Sequence, residues 1–307
     1  MAVVTSDFLA AVVTTYRALW EDEFLAGRAQ QIRGKIATEV PSTTLIETYN
    51  WLGNVPKMRE WVSDRQLSGL LSHNYSITNK HYEASIEVER DTYEDDKLNL
   101  VSPRIRQLGA EAARFEDELT INAIINGTSS LCYDGQFFFD TDHAEGNSGT
   151  QSNLLTGTGT TLAQIRTDWE SARAAMQNFK DDEGRPMSIM PTHILAPPAL
   201  EGPFRQLLNS EFFNAGAVAA PVSNVWKGTA DLIITPYLTD AADWYVLALN
   251  HPVKPLMFQM RKHPEFVALD SPTSEQNFLR KRFMYGVDAR YNVGYSFWQL
   301  AIKVNNA

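Results

Sequence analysis

Phe8, Leu9, Val12, Tyr16, Leu19 and Phe24 recur at helical spacing behind Ser6, a good N-cap residue, and Gly27 closes the run. Arg28 to Val40 is mixed and weakly patterned, which predicts a connecting arm and not a core element. The texture then changes. Thr43 to Tyr49 is β-branched and aromatic, while Tyr82, Ala84, Ile86 and Val88 alternate with Glu83, Ser85, Glu87 and Glu89. That alternation is the period-2 signature of a strand with one wet, acidic face. The roughly thirty residues between them carry Gly53, Pro56, Trp61 and Gly69, too many for a turn, so an extended hairpin with a decorated tip is expected. Trp51 and Trp61 on such a hairpin need a neighbouring surface to cover them.

The strongest element starts at Ser102, a candidate cap followed by Pro103 in the first helical position, with Gly127 just past the end. Ile105, Leu108, Ala112, Phe115, Leu119 and Ala123 form one apolar stripe, predicting a helix of about 36 Å at 1.5 Å per residue. Gly146 to Thr161 is rich in Gly, Ser, Thr and Asn and reads as a surface loop or boundary. A second amphipathic helix carries Leu162, Ile165, Trp169, Ala172, Met176 and Phe179. Short strands are expected at 193–196, 231–235 and 244–249, with a helix near 198–213 between the first two. Strands alternating with helices point to an α/β or α+β middle domain. Phe283, Tyr285, Val287, Ala289 and Tyr291 then alternate with polar positions, and Phe297 to Val304 ends the chain as a strand. These late strands are expected to pack on the long helix.

The 307 residues predict about two domains. A hydrophobic share of 44% and a charged share of 21% exclude collagen-like and wholly disordered chains. Lys and Arg number 27 against 37 Asp and Glu, a formal charge of −10. That balance argues against a nucleic-acid reader or an anionic-lipid binder, which rely on clustered cations. Cys132 is the sole cysteine, so no internal disulfide is possible and a reducing compartment is expected. No leader or membrane span is read at the start or elsewhere, and the chain is expected to be made in a cytoplasm.

Chemistry is sparse. Asp140, Asp142 and His143 form the best candidate for a metal or acid–base site, of the kind a metal-dependent hydrolase would use. Partners at helical spacing are missing, and a structural turn is the reading preferred. Glu94, Asp95 and Asp96 read as a solvated face or a partner for arginines of a neighbouring chain. No phosphate loop, no G-x-S-x-G elbow and no paired histidines are present. No catalytic, cofactor-binding or metal residue is assigned. Extended arms bearing Trp and Tyr without an active site favour a self-assembling structural protein over an enzyme.

Several motifs taken together resemble the major head subunit of Mu-like bacteriophages. They are Tyr49, Trp51 and Gly53; Ile77, Asn79, Lys80 and Tyr82; Arg90, Asp91, Glu94, Asp95 and Asp96; and Tyr133, Asp134, Gly135, Gln136, Phe138, Phe139 and His143. The resemblance runs in order through about 49–155 and is looser beyond, where Pro255 and the closing strands carry it. Ala144 stands where the family pattern leads one to expect proline. The resemblance implies an α+β chain with the tailed-phage (HK97-like) major capsid fold. Its parts would be an N-terminal arm (1–40), an extended loop (41–97), a peripheral domain with a spine helix (98–154), an axial domain (155–250) and strands returning to the peripheral domain (251–307). It also implies hexamers and pentamers in an icosahedral shell around double-stranded DNA. The partners implied are scaffold, portal and possibly decoration proteins. Tyr49, Trp51, Trp61, Tyr82, Arg90, Glu94, Asp95 and Asp96 are the residues expected to touch neighbouring subunits. A nanocompartment shell protein of the same fold is the alternative.

Overall fold

A computed structural model describes residues 6–50, 74–89, 101–213, 222–271 and 279–306. The chain opens with helix α1 (Ser6–Ala29), a short α2 (Arg33–Ile36) and strand β1 (Ala37–Pro41). A small antiparallel ladder follows, β2 (Ile46–Tyr49) with β3 (Tyr75–Thr78), and β3 leads through Asn79 into β4 (Lys80–Glu89). Helix α3 spans Val101–Ile125. Next come β5 (Leu154–Thr156), α4 (Leu162–Gln177), β6 (His193–Ala196), α5 (Glu201–Asn209) and the ladder β7 (Phe212–Phe213) with β8 (Val222–Ser223). The last elements are β9 (Asp231–Ile234), β10 (Trp244–Leu247), the long β11 (Leu256–Leu269) and β12 (Arg282–Tyr295), and β13 (Ala301–Asn305).

Two sheets organise these elements. The first has strand order β1-β11-β12-β4, with β1 parallel to β11 and the rest antiparallel. Its inner face presents Phe283, Tyr285 and Val287, buried against α1 and α3 together with Tyr16, Trp20 and Phe24 of α1. The alternation read in β4 and β12 is observed, because only one face of this sheet is covered. Charged side chains pair across the other face, Lys262 with Asp288 at 2.8 Å and Arg282 with Glu87. The second sheet has order β5-β13-β10-β6-β9 and packs on α4 and α5 around the fully buried Trp169 and Trp244. Gln164 in the first turn of α4 accepts the Thr161 N–H at 3.2 Å, closing that helix end.

Four expectations are corrected. The segment 28–40 is not a loose arm, because α1 continues to Ala29 and β1 joins the first sheet, with Ile36 and Ala37 buried. Helix α3 already includes Val101, so Ser102 lies inside it and not at its cap. The hairpin's return strand is β3, whereas β4 pairs with β12. Finally, β13 does not pack on the long helix; it is inserted between β5 and β10, so the chain's last strand completes the second sheet. Sheet membership depends on a partner remote in sequence, which local alternation does not encode.

Candidate functional site

The hairpin β2–β3 is rooted by a set of polar contacts that its sequence half-announces. Ser42, Thr43 and Thr44 offer donors, and Glu47 gathers them: its Oε1 accepts the Thr43 N–H at 2.7 Å, the Thr44 N–H at 2.9 Å and the Ser42 hydroxyl at 3.0 Å. These bonds hold the Glu47 carboxyl down at about 2, since the charged form accepts them best. Asn79 ties the other strand to the same turn, donating to Ser42 Oγ and the Thr44 carbonyl at 2.8 Å each. The Tyr49 hydroxyl donates to Gln259 Oε1 at 2.8 Å, and Gln259 donates to the Ile77 carbonyl at 3.2 Å. Tyr49 is buried, which pushes its phenol up to about 12. Ile77 packs closely over Gly294, where a Cβ would overlap its side chain.

Tyr49, one of the residues expected at a subunit contact, fastens the hairpin to its own sheet. Tyr82 is half-buried on the edge strand β4, stacked on Tyr291 with ring centres 5.0 Å apart and edge-on to Phe115 at 4.9 Å. Trp51, Trp61, Arg90, Glu94, Asp95 and Asp96 lie outside the described residues. Between α3 and the sheet, behind Tyr82, is a cavity of about 260 Å³.

A second cluster anchors the N-terminal region to α3. Glu116 is fully buried on that helix and faces Arg33 Nε at 3.2 Å and Arg28 Nε at 3.6 Å. The arginines also share Glu39, at 2.8 and 2.9 Å, and the Arg33 guanidinium lies 4.4 Å above the Phe258 ring. Burial raises the Glu116 carboxyl above its ordinary value, an effect the arginines only partly offset. Asp117 accepts the N–H groups of Ile32 and Arg33 at 3.1 and 2.7 Å, capping α2 from outside. None of this shows in the apolar stripe of α3, which passes over Glu116 and Asp117.

The grouping of Asp140, Asp142 and His143 is not what the structure builds. His143 is buried, with Nδ1 2.6 Å from Asp134 Oδ2 and Nε2 3.2 Å from Asn153 Oδ1. Asn153 Nδ2 donates to the carbonyls of Phe138, Trp298 and Ala301, which leaves its Oδ1 an acceptor. Both imidazole nitrogens are therefore engaged by protein oxygens, and neither is open to a metal. Asp140 is spent on the N–H groups of Phe137 and Thr141, while Asp142 is exposed. Among the described residues no group of His, Cys, Asp and Glu could hold a metal ion. The His143 ring stacks on Trp298 at 4.1 Å, so the cluster pins the 133–153 loop to the turn before β13. Asp134, next to Gly135, is the partner the sequence reading missed.

A hairpin bonded at its root and a long helix laid over one sheet place the chain in a fold class that capsid subunits share. The same fold is found in the procapsid of bacteriophage JBD30, with a TM-score of 0.58 and 26% identity over 99% of this chain and 77% of that one. The family described as Mu-like prophage major head subunit gpT matches residues 9–166, 159–238 and 239–307, and the chain belongs to it. It is 31% identical to the Mu-like prophage FluMu major head subunit of Haemophilus influenzae, over 99% of this chain and 75% of that protein. It is 27% identical to the major capsid protein of Escherichia phage Mu, over 98% and 75%. The family is structural and not catalytic, and its place is the phage capsid.

Proposed function

We propose that this subunit assembles into the hexamers and pentamers of an icosahedral head that encloses double-stranded DNA, forming first as a procapsid on a scaffold in the bacterial host cytoplasm. Portal and decoration proteins complete the set of partners, and no membrane takes part. The observation that carries this reading is the hairpin β2–β3. Its base is fastened through Glu47, Asn79 and Tyr49, and the sequence between its two strands, 51–73, holds Trp51 and Trp61. The subdomain plan supports it: the first sheet with α1 and α3 serves as the peripheral domain, and the second sheet as the axial domain. A net charge of −10 fits a shell that contains DNA without gripping it, so its lining is neutral to acidic.

Negative-stain microscopy of the expressed chain, alone and with the neighbouring phage proteins, tests the reading directly. Polyhedral particles or capsomer rings are expected. In the double variant Trp51→Ala, Trp61→Ala the subunit should stay folded and lose assembly. Normal shells from that variant would refute the part given to the hairpin.

A further inference from the structure

Helix α4 carries an arginine that is held in place but left without a charged partner. Arg173 lies between two indoles, its guanidinium carbon 5.9 Å from the centre of the Trp169 ring and 5.8 Å from that of Trp226. Trp169 is fully buried, and Trp226 is fixed by its own N–H, which donates to Glu170 Oε1 at 3.0 Å. Of the arginines between 155 and 250, Arg166, Arg185 and Arg205 each face a carboxylate, at 3.6, 2.6 and 2.6 Å. Arg173 faces none among the described residues, and its Nη1 is buried without an acceptor, as is the indole N–H of Trp169. A guanidinium stacked on aromatic faces keeps its in-plane N–H groups for an acceptor, while the rings hold it to one place. A buried donor left unmet costs stability, so an anion at this half-buried fork would complete the arrangement.

We propose that the clasp of Trp169, Arg173 and Trp226 receives a carboxylate from a second copy of this chain, within the ring of subunits that the shell reading requires. The inference rests on that reading and gives it a contact outside the hairpin. The surroundings favour a protein guest over a free anion. Val225, next to Trp226, is 72% exposed, and Phe212 and Val222 of the ladder leading to it are exposed as well. Phe213 of that ladder lies 5.7 Å from the Arg166 guanidinium, which sets the apolar patch against α4. A Trp and an Arg ringed by exposed apolar side chains have the composition of a protein–protein anchor, where excluded water strengthens a charge pair. A phosphate backbone calls for a row of cations, and the others beside the patch, Arg166 and Lys227, already face Glu170 and Glu211. Charge supports a sibling as the source. In a ring the surfaces that meet are different parts of one chain, so an unmatched cation on one side calls for an unmatched acid on the other. The chain has acids to spare, at a net charge of −10. Asp231, at the start of β9, has an 86% exposed side chain and only His193 near it, at 3.8 Å, among the described residues.

Mixed particles test the clasp on the full chain. Arg173→Lys subunits are assembled as the minor component with heavy-isotope-labelled wild type, and the particles are treated with a water-soluble carbodiimide, which joins an amine to a carboxylate in contact with it. Peptide mass spectrometry should find position 173 joined to a labelled acidic peptide, which identifies the partner residue. Arg173→Gln keeps a stem between the indoles and removes the charge. It should cut the yield of particles by sedimentation at least tenfold with the subunit's melting unchanged. If that variant melts early, the cross-link decides alone. A normal yield from Arg173→Gln, or particles in which position 173 is joined to nothing or only to its own chain, would overturn the clasp while wild-type particles keep the shell reading intact. Wild-type protein that never forms particles would remove the shell reading, and the clasp with it.

Discussion

The crossing of α1 over α3 turns on a glycine, and substituting it pits two effects of opposite sign. Gly109 faces the backbone of α1: a Cβ at that position would lie 2.5 Å from the Trp20 carbonyl oxygen and 3.2 Å from the Phe24 nitrogen. A relaxed carbon–oxygen contact needs about 3.3 Å, so Gly109→Ala forces the helices apart by roughly 0.8 Å. The obstacle is main chain, which cannot swing aside. A gap of that size forfeits a quarter to a half of the dispersion energy of the contacts it opens. The contacts concerned are those of Tyr16, Trp20 and Phe24, all buried. Overpacking of this kind costs about 3 kcal/mol at the upper end. Against it, alanine in a helix interior gains about 1 kcal/mol over glycine. The net expectation is a loss of about 2 kcal/mol. Gly34 provides the control, since it lies in α2 with nothing within 4 Å of its would-be Cβ. There Gly34→Ala should be neutral or stabilising. Urea unfolding of the unassembled subunit, followed by tryptophan fluorescence, measures both. A Gly109→Ala subunit as stable as Gly34→Ala would refute the close crossing.

Two further predictions concern the fastenings of the subunit. Asn153→Leu strips partners from His143 and from three buried carbonyls, and should cost about 3 kcal/mol in the same unfolding experiment, given about 1 to 3 for each buried group left unsatisfied; a change below 1 kcal/mol would contradict the bonding described. Glu47 has its carboxyl depressed in the folded state, to about 2, so the stability it contributes is present above the ordinary glutamate value and is lost as pH falls from there through about 2. The variant Glu47→Gln should therefore lose less stability than wild type over that acid range, read from urea midpoints at successive pH values, and identical slopes would contradict the assignment.

Much of this fold could be read from residue spacing, and the failures share a cause. Tyr285, Val287 and Ala289 alternate cleanly because the sheet has one wet face, and Ile165, Trp169, Ala172 and Met176 repeat cleanly because α4 buries one stripe. The long helix was harder. It packs against both α1 and the sheet, so its buried set includes Glu116 and Thr120, polar residues that the apolar stripe passes over. Strand β11 was hidden by Arg261, Lys262 and His263 and by Pro264, which sits where the register shifts and the ladder is interrupted. His143 was singled out correctly as unusual and grouped with the wrong carboxylates. Its partners, Asp134 and Asn153, come from opposite ends of a loop whose closure is not visible in spacing.

The polar clusters divide the chain's labour in a way that bears on assembly. The cluster at Glu116 fixes the N-terminal region to α3, the one at His143 fixes the central loop to the last strand, and Glu47 with Asn79 and Tyr49 fixes the hairpin. Each joins elements distant in sequence, Tyr49 to Gln259 and Asn153 to Ala301 among them. Net hydrogen bonds add little stability each, about 1 kcal/mol, but a buried polar group has few acceptable partners and so selects one arrangement among many. Apolar packing alone would tolerate small shifts of a hairpin or a helix. A subunit that must meet identical neighbours repeatedly cannot, since an error in the hairpin's direction is copied at every contact. The buried polar bonds are therefore best understood as fixing where each contact surface points, and the apolar core as keeping the subunit folded.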